Sequence, residues 1–443
     1  MAGNNKYKLN HQNIAIRVYI FLLLIIGGGI VLHAPITVML GSYWPEYSLL
    51  IKAWKEILML MAGFLAIYIL YRSKQSKLIK IPLILFILSY ALLHFVLALL
   101  IGGEINAVLA GLVIDLRYLL YFVLVFVAIR FYPQYLKLFI RIGLIGAVIV
   151  LVFAVLQVFV LPHDILKYIG YGDNSIAPYL TVDQNFDFIR INSTFRGPNP
   201  LGAYVVIISS LLAAVIVKRK YLSDWKNKNV RLFVAIMSIF SLVALYYSYS
   251  RSAYLGLVVS LLVILIITFN RKISKKVWFG LCAGLVLLMG LVFSLQNTYF
   301  VSNILLHENP SGLAGTNSNE GHINSLKDGA IQAINQSLGN GIGSAGSASI
   351  IGGKAEIIEN QYLLIAHETG WLGLVLFMTI FIMIMLKLWT IRHSYLALGV
   401  FASGIGLAVI GILLPVWVDD TVSIIWWGLA AMAIASSYRQ ENS

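Results

Sequence analysis

Between Asn297 and Gly370 the chain reads NTYFVSNILLHENPSGLAGTNSNEGHINSLKDGAIQAINQSLGNGIGSAGSASIIGGKAEIIENQYLLIAHETG, the longest segment too polar to cross a membrane. Strongly apolar runs flank it on both sides, and that contrast decides the fold. Of the 443 residues, 60% are hydrophobic and only 11% are charged. A soluble domain cannot hide that much apolar surface, so the reading is an all-α polytopic membrane protein. One integral membrane domain is expected over residues 1–443, with about twelve transmembrane helices. The expected spans are 14–36, 49–71, 79–101, 105–131, 139–161, 198–217, 230–249, 252–269, 277–296, 359–386, 395–415 and 420–437. Each is near the ~20 residues that a bilayer requires.

Charge tests this count. With a cytoplasmic N-terminus, the even-numbered connections are cytoplasmic, and they carry most of the 32 basic residues. Among the 18 acids only Asp224 and Glu441 fall on that side. This is the basic-inside bias of membrane proteins, and it accounts for the net charge of +14 without any nucleic-acid partner. Both termini are expected to be cytoplasmic. The first apolar run is long and lacks a small-residue cleavage site, so a retained first helix and no signal peptide are expected. The loops 162–198 and 297–358 face outward. Within the second, apolar residues at helical spacing predict an amphipathic helix over 321–338. Cys282 is the lone cysteine, which excludes a disulfide framework and a thiolate metal site.

Arginines at the outer boundary defy the orientation bias and need an anionic partner. Four stand out. Arg190 and Arg196 lie in Phe188-Ile-Arg-Ile-Asn-Ser-Thr-Phe-Arg-Gly-Pro-Asn-Pro-Leu-Gly202, where Pro198 and Pro200 mark a helix start. Arg251 lies in Ser248-Tyr-Ser-Arg-Ser-Ala-Tyr254, a tight turn between spans. Arg117 follows Asp115 inside the fourth span, either as half of a local ion pair or as a substrate contact. Planar guanidinium groups grip phosphate oxygens bidentately, and helix N-termini favour anions. Gathered at an outer face, they point to a lipid-linked phosphate or diphosphate. The bland alternative is that each pairs with an outer acid such as Asp183 or Asp187 and staples loops.

These segments occur in a telling order: Arg190–Gly202, the turn at Arg251, the cluster Gly339-Asn-Gly-Ile-Gly-Ser-Ala-Gly346, then Glu359-Asn-Gln-Tyr-Leu and His367-Glu-Thr-Gly-Trp-Leu-Gly373. The set resembles the O-antigen ligase and Wzy-type polysaccharide polymerase superfamily over roughly Phe188–Leu374. The resemblance implies a GT-C-like, metal-independent glycosyltransferase without cofactor in a bacterial plasma membrane. Its donor would be a polyprenyl-diphosphate-linked saccharide, and its acceptor another saccharide or a lipid. A flippase and a chain-length regulator would be pathway partners. It also implies that Arg251 and one of Arg190 or Arg196 bind the diphosphate. Family ligases open the span after the large loop with histidine and asparagine; here the position reads Glu359-Asn360, which looks more like the polymerase branches.

Diphosphate leaves readily once its charge is held, so the chemistry needs cationic clamps and one base. Glu359 is the first candidate for the base, because the polar loop becomes a helix there and partial desolvation would raise its pKa. The plain alternative is a helix N-terminal carboxylate. His322 is the second candidate. Asn199, Asn360, Arg117, Gly341 and Gly343 are candidate substrate contacts. Gly341–Gly346 matches a dinucleotide fingerprint by letter only, since no strand precedes it. It reads instead as a backbone nest or a flexible turn. Polymerase and ligase remain two readings of one class. A transporter or flippase is the reading from another class, but neither an inverted repeat nor mid-membrane charges support it.

Overall fold

The computed structural model describes residues 9–74, 80–182, 184–269, 329, 331 and 336–438. Among them, eleven helices are long and apolar enough to span a bilayer. The first is bipartite: α1 (Leu9–Gly29) continues through a 3-10 turn, Ile30–Leu32, into α2 (His33–Tyr43). A short α3 (Ser48–Lys52) leads to α4 (Trp54–Arg72), followed by α5 (Pro82–Leu100), α6 (Ile105–Phe131) and α7 (Leu136–Phe159). After a loop come α8 (Pro198–Val217), α9 (Lys228–Ser248) and α10 (Arg251–Phe269). The C-terminal part holds a one-turn helix, α11 (Gly346–Ile351), then α12 (Gln361–Thr390), α13 (Tyr395–Leu413) and α14 (Asp420–Ser437). The expected ninth span, 277–296, and His322 lie outside the described residues, as does most of the expected amphipathic helix. Its described end, Gln336–Leu338, is already turn rather than helix.

Burial separates core helices from lipid-facing ones. The spans of α14, α13 and α6 are 72%, 67% and 61% buried, whereas those of α4, α5 and α9 are 28% buried. Lipid is as apolar as leucine, so close backbone approach holds such helices together. At the α10–α13 seam a side chain at Gly406 would collide with Gly256 O and Ser260 Oγ. Tryptophans fill the centre: Trp417, Trp426 and Trp427 pack tilted or edge-on at centroid distances of 5.2–5.8 Å, and Tyr118 lies 5.0 Å from Trp427.

The connections segregate into two ends. At one end Arg130 and Lys387 crowd over the Tyr438 ring. At the other, Thr421 Oγ1 donates to Ile30 O, and Gly170 packs against Ser42. The loop 162–198 is not wholly irregular. β1 (Leu180–Val182) and β2 (Asn185–Arg190) form an antiparallel hairpin, with Leu180 opposite Arg190 and a register shift after Thr181. The hairpin is tied to the end of α9 by Ile191 N donating to Tyr247 O (3.1 Å) and by the Phe188–Tyr249 ring contact.

Beyond the hairpin the chain dives into the bundle. Asn192, Ser193 and Phe195 are at most 1% exposed. A polar backbone there must find partners inside the protein. Ser193 N donates to Gln157 Oε1 of α7 (2.7 Å), and Ser193 Oγ donates to Val150 O (2.8 Å). Gln157→Leu is therefore expected to cost about 1–3 kcal/mol, the penalty for stranding one buried N–H. Thermal melts of detergent-solubilised protein measure it.

Candidate functional site

The buried dive of 191–195 fixes where Arg196 emerges. Its side chain is 42% exposed, and its Nε lies 2.9 Å from Asp419 Oδ2. Asp419 caps α14, accepting from Val422 N. It belongs to Pro415-Val-Trp-Val-Asp-Asp-Thr421, the turn between α13 and α14, and that turn is the hub of the site. Trp417 N donates to Gln361 Oε1 at the start of α12 (2.7 Å). Arg117 Nη2 donates to Val418 O (2.5 Å). Asp420 Oδ2 takes Lys55 Nζ at 3.1 Å and His33 Nε2 at 3.0 Å.

Arg117 is thus no local partner of Asp115. Its second nitrogen faces Glu56 of α4 at 3.8 Å, while Asp115 Oδ2 faces His94 Nε2 of α5 at 3.5 Å. The two residues sit i and i+2 on one helix, which turns their side chains to different sides.

Beside this hub opens a cavity of about 480 Å³ whose walls include Lys52, Arg117, Arg196, Ser347, Asp419 and Asp420. Lys55, only 3% exposed, stands behind it on Asp420 and Glu56. The sequence reading missed Lys52, Lys55 and Glu56, which lie around the start of the second apolar span, and His33, which lies inside the first. It also missed Asp419 and Asp420, although two adjacent acids in a short connection between apolar runs are a visible signal.

Arg190 and Arg251 are not among the described lining residues of that cavity. Arg190 ends β2 and reaches across to the first turn of α8, whereas Arg251 opens α10. Arg190 Nε donates to Ser248 O (2.9 Å), and its Nη2 to Asn199 Oδ1 (2.7 Å) in the first turn of α8. Gly202 of α8 abuts Ala253 and Ser250, so the two helix starts are side by side. Arg251 is the first residue of α10, two residues after Tyr249, which is held at φ +45°. Two helix N-termini and two guanidinium groups make this corner favourable to an anion.

Glu359 is half-buried and directly precedes Asn360, the N-cap of α12. Asn360 Oδ1 accepts from Tyr362 N and Leu363 N, and its Nδ2 donates to Ile412 O at the end of α13. The helix-capping part of the plain alternative for Glu359 therefore falls to its neighbour.

The glycine cluster is packed, not loose. α12 is broken at Gly370 (φ +67°, ψ −172°), and the cluster docks into the break. Asn340 N and Gly341 N donate to His367 O and Glu368 O, and Trp371 N donates to Ser337 O. Three backbone groups beside the break, His367 O, Glu368 O and Trp371 N, are thereby matched, as a bilayer favours. The nest is real, but its occupant is internal. Ala345 N donates to Glu368 Oε1 (3.3 Å), Gly343 N joins it, and the Asp115 carboxyl shares a hydrogen bond with the same group. Gly341 and Gly343 thus hold Glu368 and one another's neighbours in place.

Burial pushes the Asp419 carboxyl above its ordinary value, against the pull of Arg196. A carboxyl whose pKa is higher folded than unfolded takes up protons more readily when folded, so its ionisation costs stability as pH rises through that window. The window begins near the ordinary value of about 4 and extends upward. Asp419→Asn is expected to flatten that part of the melting-temperature profile, measured by thermal scans from acid to neutral pH.

Residues 236–378 match the O-antigen ligase family. No curated protein matches the chain. The matched segment runs from α9 through the Arg251 turn, the glycine loop and Glu359 to the broken helix α12.

Proposed function

We propose, for a chain that belongs to the O-antigen ligase and Wzy-type polymerase superfamily, that it transfers a polyprenyl-diphosphate-linked oligosaccharide to a growing glycan. The reading is a metal-independent polysaccharide polymerase of the bacterial plasma membrane. Its site faces outward, and both termini are cytoplasmic. The observation that carries it is the gathering of cations at one end of the bundle. Arg117, Arg196 and Lys52 line the hub cavity, and Arg190 and Arg251 stand at the two helix starts.

In such a reaction the acceptor hydroxyl attacks the anomeric carbon, the bond to the diphosphate oxygen breaks, and the polyprenyl diphosphate departs with its charge held by guanidinium groups. Arg251 and Arg196 are assigned to that clamp, with Asn199 holding Arg190 in support. Asp419 keeps Arg196 ordered at the cavity mouth until the more highly charged diphosphate competes for it. Glu359 is assigned as the base that takes the hydroxyl proton. His322 is next in line.

Glu359→Gln is expected to lower turnover by about 10²–10⁴-fold, the usual worth of a general base, with donor affinity unchanged. Full activity in Glu359→Gln would move the base elsewhere. The decisive assay is turnover by purified protein of a polyprenyl-diphosphate oligosaccharide, reading product length. A ladder of products identifies a polymerase. A single transfer onto a different acceptor identifies a ligase, and no turnover at all overturns the transferase reading.

A further inference from the structure

A second cavity, of about 580 Å³, lies across α11 from the first. Ser347 of α11 lines the cationic cavity, and Ser349 lines the second. The walls of the second come from the start of α6, the glycine loop, the segment after α11 and His367 of α12. Its chemistry differs. Where the first cavity gathers cations, this one presents Glu104, Gln336, Asn340, Ser344, Glu356 and His367, with Lys354 its lining cation. Amides, hydroxyls and carboxylates in alternation match a ligand that both donates and accepts at many points without net negative charge.

Two polar atoms in its walls are unmet. His367 is 3% exposed, and its Nδ1 has no hydrogen-bond partner; neither has the buried Ser344 Oγ. Asn340 Nδ2 lies 3.2 Å from His367 Nε2. An amide NH2 only donates, so Nε2 accepts and Nδ1 carries the hydrogen. A buried donor left in that state is costly unless something completes it. The Asn340 backbone is held beside His367 as well, because its own N–H donates to His367 O (2.6 Å).

We propose that this cavity is a saccharide subsite that holds the non-reducing end of the acceptor glycan while the donor diphosphate occupies the cationic cavity across α11. The inference rests on the transferase reading and deepens it, since it gives acceptor and donor separate cavities of opposite character.

The test uses full-length protein in detergent and, as probe, the oligosaccharide released by mild acid from the lipid-linked donor. Saturation-transfer NMR reads its binding. Gln336→Trp and Lys354→Trp place bulk at the exposed rim, where the fold tolerates it. Each is expected to weaken oligosaccharide binding and raise the acceptor KM by about ten-fold, roughly 1.4 kcal/mol, while the donor KM stays within about two-fold. Arg196→Ala is expected to show the converse pattern. Wild-type protein that binds no oligosaccharide, or rim variants that bind it as wild type does, would overturn the subsite. If rim variants lose oligosaccharide but wild type never turns over the lipid-linked donor, the transferase reading fails and the saccharide site stands.

Discussion

Arg251→Lys is expected to reduce glycan synthesis by about 10²–10³-fold, the loss that follows removal of one preorganised donor to developing charge. Lysine keeps the charge but not the planar fork, and an ammonium is a compact, strongly hydrated point charge. Arg251 opens α10 at the turn set by Tyr249 at φ +45°, with Tyr254 N bonded back to Ser250 O. The helix start therefore has backbone support of its own, and the variant should insert and fold. Arg251→Ala should be at least as inactive. The measurements are lipid-linked oligosaccharide consumption in vitro and, in cells, glycan on gels beside the amount of membrane-inserted protein. Wild-type glycan in either variant would refute the clamp.

Gly343→Val is expected to have an equally large effect by a different route, the loss of folded protein. Gly343 holds φ +78°, and a Cβ there would collide with the backbone of Ala107 at the first turn of α6. Gly111, one turn on, is just as tight against Gly343 N at 2.6 Å. Neither backbone can retreat, because the loop is bonded into the break of α12. Gly353→Val supplies the control. It has nearly the same φ, +77°, with nothing within 4 Å of a built Cβ. Only the conformational cost of about 1–2 kcal/mol remains there. Size-exclusion profiles and melting temperatures of the two proteins should separate cleanly. If Gly343→Val behaves like Gly353→Val, the loop is not packed as described.

The spans were legible because a bilayer leaves little choice: an apolar run of the right length must be a helix. Expected and observed bounds coincide for 420–437, and 105–131 is likewise one helix. The arginines were legible because they broke the charge bias. What stayed hidden was pairing. Asp115 and Arg117 are close in sequence yet face His94 and Glu56 on two other helices, and nothing local announces such partners. Lys52, Lys55 and Glu56 were absorbed into an apolar window whose average conceals them. The glycine loop could be recognised as a nest by its letters, but not that Glu368 fills it. That outcome depends on one glycine, Gly370, breaking a helix that looks continuous in sequence. Asn360 was read as a candidate substrate contact, and its side chain also caps α12 and donates to Ile412 O, a role its neighbourhood in sequence does not announce.

The interrupted span has a consequence for how the protein is made. The segment that completes it, Gln336–Gly346, precedes α12 in the chain. It is therefore synthesised before α12. The helix alone leaves amide and carbonyl groups unfinished at Gly370, and the segment already synthesised supplies partners for them. The last step of folding is thus a docking step, and lengthening Gln336–Gly346 by even a residue is expected to misplace those partners and lower the yield of folded protein.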